Sequence, residues 1–146
     1  MISGFGHMNI AVRNLEASMD FYINKMGMEL AFQIHDEEGK LMVTYLIMPD
    51  GNFLELIGGG PRLKNDSAMK AIAAGHLCFE VLDINEAIAK INELGLEIVG
   101  GPRTGRDKNS QVFITDPDGN RIELMQMDPK SPQRQAQAKI KRQSGL

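Results

Sequence analysis

Apolar and polar residues alternate with a period of two from Gly6 onward, Met8, Ile10 and Val12 falling between His7, Asn9 and Ala11. That is the pattern of a half-buried strand. A stripe at helical spacing follows, Leu15, Met19, Tyr22 and Met26, with Asn14 placed to cap its start and Gly27 to stop it. Strands are then predicted over Met28 to Ile34, Leu41 to Met48 and Asn52 to Ile57, with turns at His35 to Lys40 and Asp50-Gly51. The same order returns later in the chain. Leu77, Phe79 and Val81 alternate with His76, Cys78 and Glu80, and the stripe Ile84, Ile88, Ile91, Leu94 is capped by Asp83, with Glu86 three residues on, and stopped by Gly95. Strands are predicted over Glu97 to Val99, Gln111 to Thr115 and Asn120 to Met127, with a tight turn at Asp118-Gly119. The fold class expected is α+β, two β-α-β-β-β modules over 4–58 and 75–127 forming one domain over 1–127. Between them the linker 59–74 is rich in glycine at its start, carries Pro61, and is expected to hold a short helix near Ser67 to Ala73.

The duplication is visible in the residues themselves. Pro49-Asp50-Gly51-Asn52-Phe53-Leu54-Glu55-Leu56 returns as Pro117-Asp118-Gly119-Asn120-Arg121-Ile122-Glu123-Leu124, and the opening Gly6-His7 returns as Gly75-His76. Alternation puts His7, Glu55, His76 and Glu123 on the sheet face away from the helices. A sheet with helices on one side and polar residues on the other is expected to curl around a cavity. Two imidazoles and two carboxylates brought together there would bind a divalent metal, zinc, nickel, cobalt, manganese or ferrous iron alike, and not calcium. Four protein ligands leave two positions of an octahedral ion open for water or adjacent substrate oxygens.

Other residues fall on the same face or near it. Asn9, Phe53, Cys78, Glu80, Arg121 and Met125 are expected to line a substrate pocket, although Cys78 also reads as a small buried packing residue. Arg103 and Arg106 lie in Gly100 to Lys108, read here as a flexible basic loop that would close over an anionic substrate tail. His35 sits among charges in a turn and is given no role.

Composition sharpens the picture mainly by exclusion. With 146 residues, 42% hydrophobic and 24% charged, the chain has the make-up of a soluble globular protein. A net charge of −3 provides no basic field to collect phosphates, so nucleic acid is not expected as a partner. No apolar run is long enough to span a membrane, and Met1-Ile2-Ser3-Gly4 does not open a signal peptide. A single cysteine cannot form an internal disulfide, which points to the cytoplasm. The extension 128–146 is polar and basic, with Lys130, Arg134, Lys139, Lys141 and Arg142, and reads as a solvated or partner-packing tail.

The paired modules, the run from Gly6-His7 through Ile10-Ala11-Val12 to Phe21-Tyr22 and Gly27-Met28, and Asp116-Pro117-Asp118-Gly119-Asn120 with Ile122-Glu123-Leu124 resemble the vicinal-oxygen-chelate superfamily. That superfamily includes glyoxalase I, acyl-CoA epimerases, extradiol dioxygenases, fosfomycin-modifying enzymes and bleomycin-resistance proteins. The His/Glu/His/Glu set is most similar to short bacterial glyoxalase I, a lactoylglutathione lyase. The resemblance implies one divalent metal per site and a small carbonyl or thiol-adduct substrate. It implies proton transfer through a metal-bound enediolate, with Glu123 or Glu55 as the base. It also implies a homodimer with sites at its interface. An acyl-CoA epimerase, a dioxygenase using His7, His76 and Glu123 alone, and a metal-free drug-binding protein are the alternatives. Glyoxalase I carries an arginine four residues after its first histidine and an asparagine four after its first glutamate; Ala11 and Gly59 stand there in this chain. Weak turnover of the glutathione hemithioacetal is therefore expected, unless Arg103 and Arg106 replace the missing contact, and steady-state assays with several thiols check it.

Overall fold

A computed structural model describes residues 5–59 and 75–144, with side chains through 139; the helix expected near Ser67 to Ala73 lies outside the described residues. The chain divides into two compact units, Met1–Ala73 and Ala74–Leu146. In the first, β1 (His7–Val12) leads into α1 (Leu15–Met19), which continues as a π-helical turn over Asp20–Lys25, and β2 (Glu29–His35), β3 (Leu41–Ile47) and β4 (Phe53–Gly58) follow. In the second, β5 (Leu77–Glu80), α2 (Ile84–Glu93), β6 (Gly100–Thr104), β7 (Ser110–Thr115) and β8 (Arg121–Gln126) repeat the order, and α3 (Pro132–Ser144) is added at the end. Each unit is thus the β-α-β-β-β module of an α+β protein, with sheet orders β1-β4-β3-β2 and β5-β8-β7-β6.

The first and last strands of each module run parallel, and the helix is the crossover that parallel pairing needs. Both helices start where a side chain accepts otherwise unpaired backbone N–H groups. Ala17 N–H donates to Asn14 Oδ1 at 3.0 Å, and the amides of Asn85 and Glu86 donate to Asp83. The helix-facing side of the first sheet carries Val12, Leu46, Leu54 and Leu56, all fully or almost fully buried, and α1 packs on β4. In the second unit Val112, Ile114, Ile122 and Leu124 do the same work under α2. Burying such side chains contributes roughly 1.5–3 kcal/mol each.

The structure differs from the sequence expectation in four places. Of the stripe Leu15, Met19, Tyr22, Met26 only Tyr22 is fully buried, the other three being half-buried. Ser18, Phe21 and Tyr22 are the buried residues there. The π-helical turn, in which Met26 N–H donates to Phe21 O at 3.0 Å, adds one residue to the turn and so rotates two adjacent aromatics inward. The strand expected at Glu97 to Val99 begins instead at Gly100. Only the Val99 N–H reaches β7, bonding Phe113 O at 2.8 Å. Gly100 to Thr104, read as loop, is the edge strand β6, with a register shift between Gly100 and Arg103. Gly101 makes the shift possible: its φ is +81°, and a Cβ there would lie 2.7 Å from Gln111 O. Pro102, which donates no hydrogen bond, is tolerated at such an edge bulge.

The tail is the fourth difference, since it is not merely solvated. Ser131 is fully buried and caps α3, accepting from Arg134 N–H at 3.2 Å. Asn109, also fully buried, accepts from Asp128 N–H at 2.9 Å, and its amide donates to Asp107 and Gln133. One polar side chain therefore fastens the β6–β7 turn to the root of α3. Asn109→Ala should lower the stability of this unit by about 1–2 kcal/mol, because it removes the bonds that join three segments. Urea unfolding followed by circular dichroism measures this, with α3 expected to melt first.

Candidate active site

Cross-strand register builds the site face of each unit as one row of side chains. In the first unit the row is Asn9 on β1, Glu55 on β4, Tyr45 on β3 and Phe32 on β2, each paired with the next. His7 stands two residues before Asn9, on the same side. Its Nε2 lies 3.3 Å from Glu55 Oε2. Asn9 Nδ2 donates to the same Oε2 at 2.7 Å, and the Tyr45 hydroxyl donates to Oε1 at 2.7 Å. Tyr45 is itself stacked on Phe32, the ring centroids 4.4 Å apart, and meets Phe53 edge-on at 6.3 Å.

These contacts set the charge state of the carboxylate. Burial works to raise the Glu55 pKa, but the bonds from Tyr45 and Asn9 and the charge of His7 outweigh it, so the pKa sits below its ordinary value. The same bond acts in reverse on the phenol: donation to Glu55 holds the Tyr45 pKa above its usual value, aided by burial. Tyr45 is therefore a proton donor throughout the neutral range.

In the second unit the equivalent row is Cys78 on β5, Glu123 on β8, Phe113 on β7 and Gly100 on β6. His76 Nε2 lies 2.7 Å from Glu123 Oε2. Glu123 is 5% exposed, and its Oε1 is buried with no hydrogen-bond partner. The contrast with Glu55 follows from two substitutions between the repeats: Phe113 lacks the hydroxyl that Tyr45 offers, and Cys78 stands where Asn9 stands. Cys78 is exposed as a residue, contrary to its expected role as a small buried packing residue, although its sulfur is partly withdrawn from water beside Glu123. Desolvation of its sulfur, then the charge of Glu123 beside it, pushes the thiol up to about 12.

A recess of about 580 Å³ opens beside this pair, its wall formed by His76, Glu123, Phe113, Gln111, Arg103 and Arg106. Arg103 and Arg121 both lie over the Phe113 ring, at 5.2 and 4.1 Å from its centroid. Of the other residues expected in the pocket, Glu80 is bonded to Arg134 of α3, and Met125 is buried with its sulfur 3.3 Å from Asn109 Nδ2. The tail thus takes up that end of the site face. Tyr45, Phe32 and Phe113 were missed in the sequence, although carrying the alternation from β4 across to β3 and β7 would have placed both rings beside the glutamates.

An imidazole nitrogen and a carboxylate oxygen about 3 Å apart have the spacing of neighbouring ligands on one divalent ion with bonds of about 2.0–2.2 Å. Each unit supplies one such pair. Within the described residues no group of three or more His, Cys, Asp or Glu side chains converges. The unpartnered Oε1 of Glu123 fits a cation, since a buried carboxylate oxygen without a donor or an ion is costly.

Comparison with known proteins agrees with this architecture. Residues 4–124 match the Glyoxalase/Bleomycin resistance protein/Dioxygenase superfamily, and the chain belongs to it. A lactoylglutathione lyase of Neisseria meningitidis is 34% identical over 125 residues, covering 82% of this chain and 88% of its own. An ethylmalonyl-CoA/methylmalonyl-CoA epimerase of Cereibacter sphaeroides is 29% identical over 126 residues, covering 82% and 93%. A glyoxalase family protein from Enterococcus faecalis superposes with a TM-score of 0.72 at 28% identity, covering 85% of this chain and 98% of its own. Among the described residues no helix is long and apolar enough to cross a membrane.

Removing the Tyr45 hydroxyl tests the electrostatics of the first pair. A depressed carboxyl pKa contributes stability that is present above the unfolded value and is lost as pH falls through the folded one. Tyr45→Phe should raise the Glu55 pKa toward normal and reduce that pH-dependent part. Carboxyl NMR titration of the metal-free variant, beside acid unfolding, measures both.

Proposed function

We propose that the chain is a divalent-metal-dependent lyase or isomerase of the glyoxalase I type, moving a proton next to a carbonyl. Its ligands are His7, Glu55, His76 and Glu123, contributed as two His–Glu pairs by two facing modules. The observation that carries this reading is the recurrence of a close His–Glu pair at the same register position in both units. The ion, nickel, cobalt or zinc before iron or manganese, would supply Lewis acidity that makes a C–H bond beside a carbonyl more acidic.

The two glutamates are not equally suited to the proton. Both oxygens of Glu55 accept from neutral donors, which fixes its orientation and lowers its basicity. Glu123 has no neutral donor at Oε1 to hold it in place, so it is the carboxylate that would leave the ion to take the proton from one carbon and return it to the next. His7 and His76 hold the carboxylates at the ion. The substrate is a small carbonyl compound or its thiol adduct, with the lactoylglutathione lyase relative supporting a hemithioacetal. The epimerase relative supports a second reading, epimerisation of an acyl-CoA at its α-carbon, which needs the same proton movement.

The facing modules belong, on this reading, to two chains of a homodimer. Leu30, Phe32 and Ile34 support it, since all three are about half exposed on the edge strand β2, an unusual amount of apolar surface for an edge.

His76→Ala and Glu123→Ala should each lose most bound metal and activity while keeping their circular dichroism. Full metal occupancy in both variants would refute the ligand set. Glu123→Gln should cost more in kcat than Glu55→Gln, by about two decades or more if it is the base. Assays of methylglyoxal with thiols and of acyl-CoA proton exchange then separate the two substrates. For the dimer, inactive His7→Ala and His76→Ala chains are mixed and allowed to exchange. A shared site regains four ligands in one of its two copies, so partial activity should return; a dead mixture places each site within one chain.

A further inference from the structure

We infer that Tyr45 and Asn9 are positioning residues for the metal: they fix Glu55 as a ligand through Oε2 alone, so that the His7–Glu55 pair is set before the ion arrives. The inference rests on the proposed ligand set and gives two residues outside that set a share in metal affinity.

Hydrogen bonding is the first reason. Asn9 on β1 and Tyr45 on β3 are the register neighbours of Glu55 on β4, so the carboxylate is held from both sides. The Tyr45 hydroxyl donates to Oε1 and the Asn9 amide to Oε2, both at 2.7 Å. Oε1 is thereby held toward β3. Oε2 accepts one bond and keeps a second acceptor position, with His7 Nε2 standing 3.3 Å away. Neither donor is charged, so the carboxylate is oriented while its negative charge is left for a cation. The Asn9 amide, expected from the sequence to line the substrate pocket, is turned to Glu55 instead.

Packing is the second reason. Tyr45 touches both members of the pair, since its ring also meets the His7 ring edge-on at 5.6 Å. Phe32, stacked on it with the planes 14° apart, fixes the plane of the phenol and so the direction of its hydroxyl. The second unit separates what the ring does from what the hydroxyl does. There Phe113 holds the register position of Tyr45 and meets His76 edge-on at 5.7 Å. The contact of ring with histidine therefore persists without a hydroxyl, and the hydroxyl of Tyr45 adds only the bond to Glu55. Cys78 likewise stands where Asn9 stands, and has no amide to offer. Bonds of this kind, made to a ligand by residues behind it, fix the ligand's orientation, and losing one typically costs about ten- to a hundredfold in metal affinity.

The test measures binding of cobalt(II) and nickel(II) to the full-length protein. Competition with a chromophoric chelator gives affinity, and the visible absorption of the cobalt form reports the number and kind of its ligands. Tyr45→Phe keeps the ring, with its contacts to Phe32 and His7, and removes only the hydroxyl. It should weaken both metals by at least about tenfold and alter the cobalt spectrum, while circular dichroism is unchanged. Asn9→Ala should weaken binding similarly, with Asn9→Gln, which keeps the amide, recovering part. A purely structural role would lower the unfolding temperature of the metal-free protein and leave the affinity and the cobalt spectrum of the folded protein as they are. That result overturns the inference, and so does parent-like affinity in both Tyr45→Phe and Asn9→Ala. Its failure is separable from failure of the lyase reading. Proton exchange by the parent with unchanged affinities in the variants sinks the inference alone. Weakened metal binding in the variants, with no proton exchange catalysed by the parent, sinks the lyase alone. A parent that binds neither metal sinks both.

Discussion

Parallel pairing between the first and last strands of each module is the constraint on which the rest depends. Parallel neighbours cannot be joined by a hairpin, so a crossover helix and two further strands must intervene, and residues nearly fifty positions apart in the chain end side by side. That pairing sets Asn9 opposite Glu55 and Cys78 opposite Glu123, which brings each histidine within contact of its glutamate. A slip of one residue in either register would turn the glutamate to the helix side and bury an unpaired carboxylate in the core. Leu54 and Leu56, or Ile122 and Leu124, prevent this, because the same slip would expose them. The core and the site are therefore fixed by a single alternation.

Much of this was readable without coordinates. The repeated Pro-Asp-Gly-Asn segment and the two Gly-His openings gave away the duplication, and period-two patterning was enough to separate Glu55 from Leu54 and Leu56. What the sequence concealed was decided by non-local geometry. The π-helical turn leaves no mark that a 3.6-residue stripe can register, so the stripe includes half-buried Met26 and leaves out buried Phe21. β6 was hidden because Gly100-Gly101-Pro102 has loop chemistry, while the contact that makes it a strand comes from β7. The tail looked solvated because its anchor, Asn109, lies in a different loop and has a residue type that normally remains outside.

The two halves have kept the framework and diverged in how each supports its carboxylate. Tyr45 and Asn9 satisfy Glu55 fully, and Tyr45 in turn is held by Phe32, so that carboxylate has little freedom. Glu123 is more deeply buried and less satisfied. A buried acceptor without a donor lowers stability, and proteins tolerate such groups mainly where function needs them. A duplicated framework allows this division, since the support of one carboxylate can change without altering the strands that carry both.

The same divergence extends to what surrounds the rings at the centre of each row. Changing two flanking positions, Phe32 against Gly100 and Phe53 against Arg121, converts an aromatic stack into a platform for guanidinium groups, while the backbone register beneath is unchanged. Specificity in such a fold is cheap to alter because the residues that set it lie on the open face and at the edge strand, where substitution disturbs no core packing. Glu55 and Glu123 sit on the central strands β4 and β8, and each histidine stands at the start of the neighbouring edge strand. A lyase and an acyl-CoA epimerase both stand about as close to this chain, as expected of a fold whose open-face residues vary over a constant register.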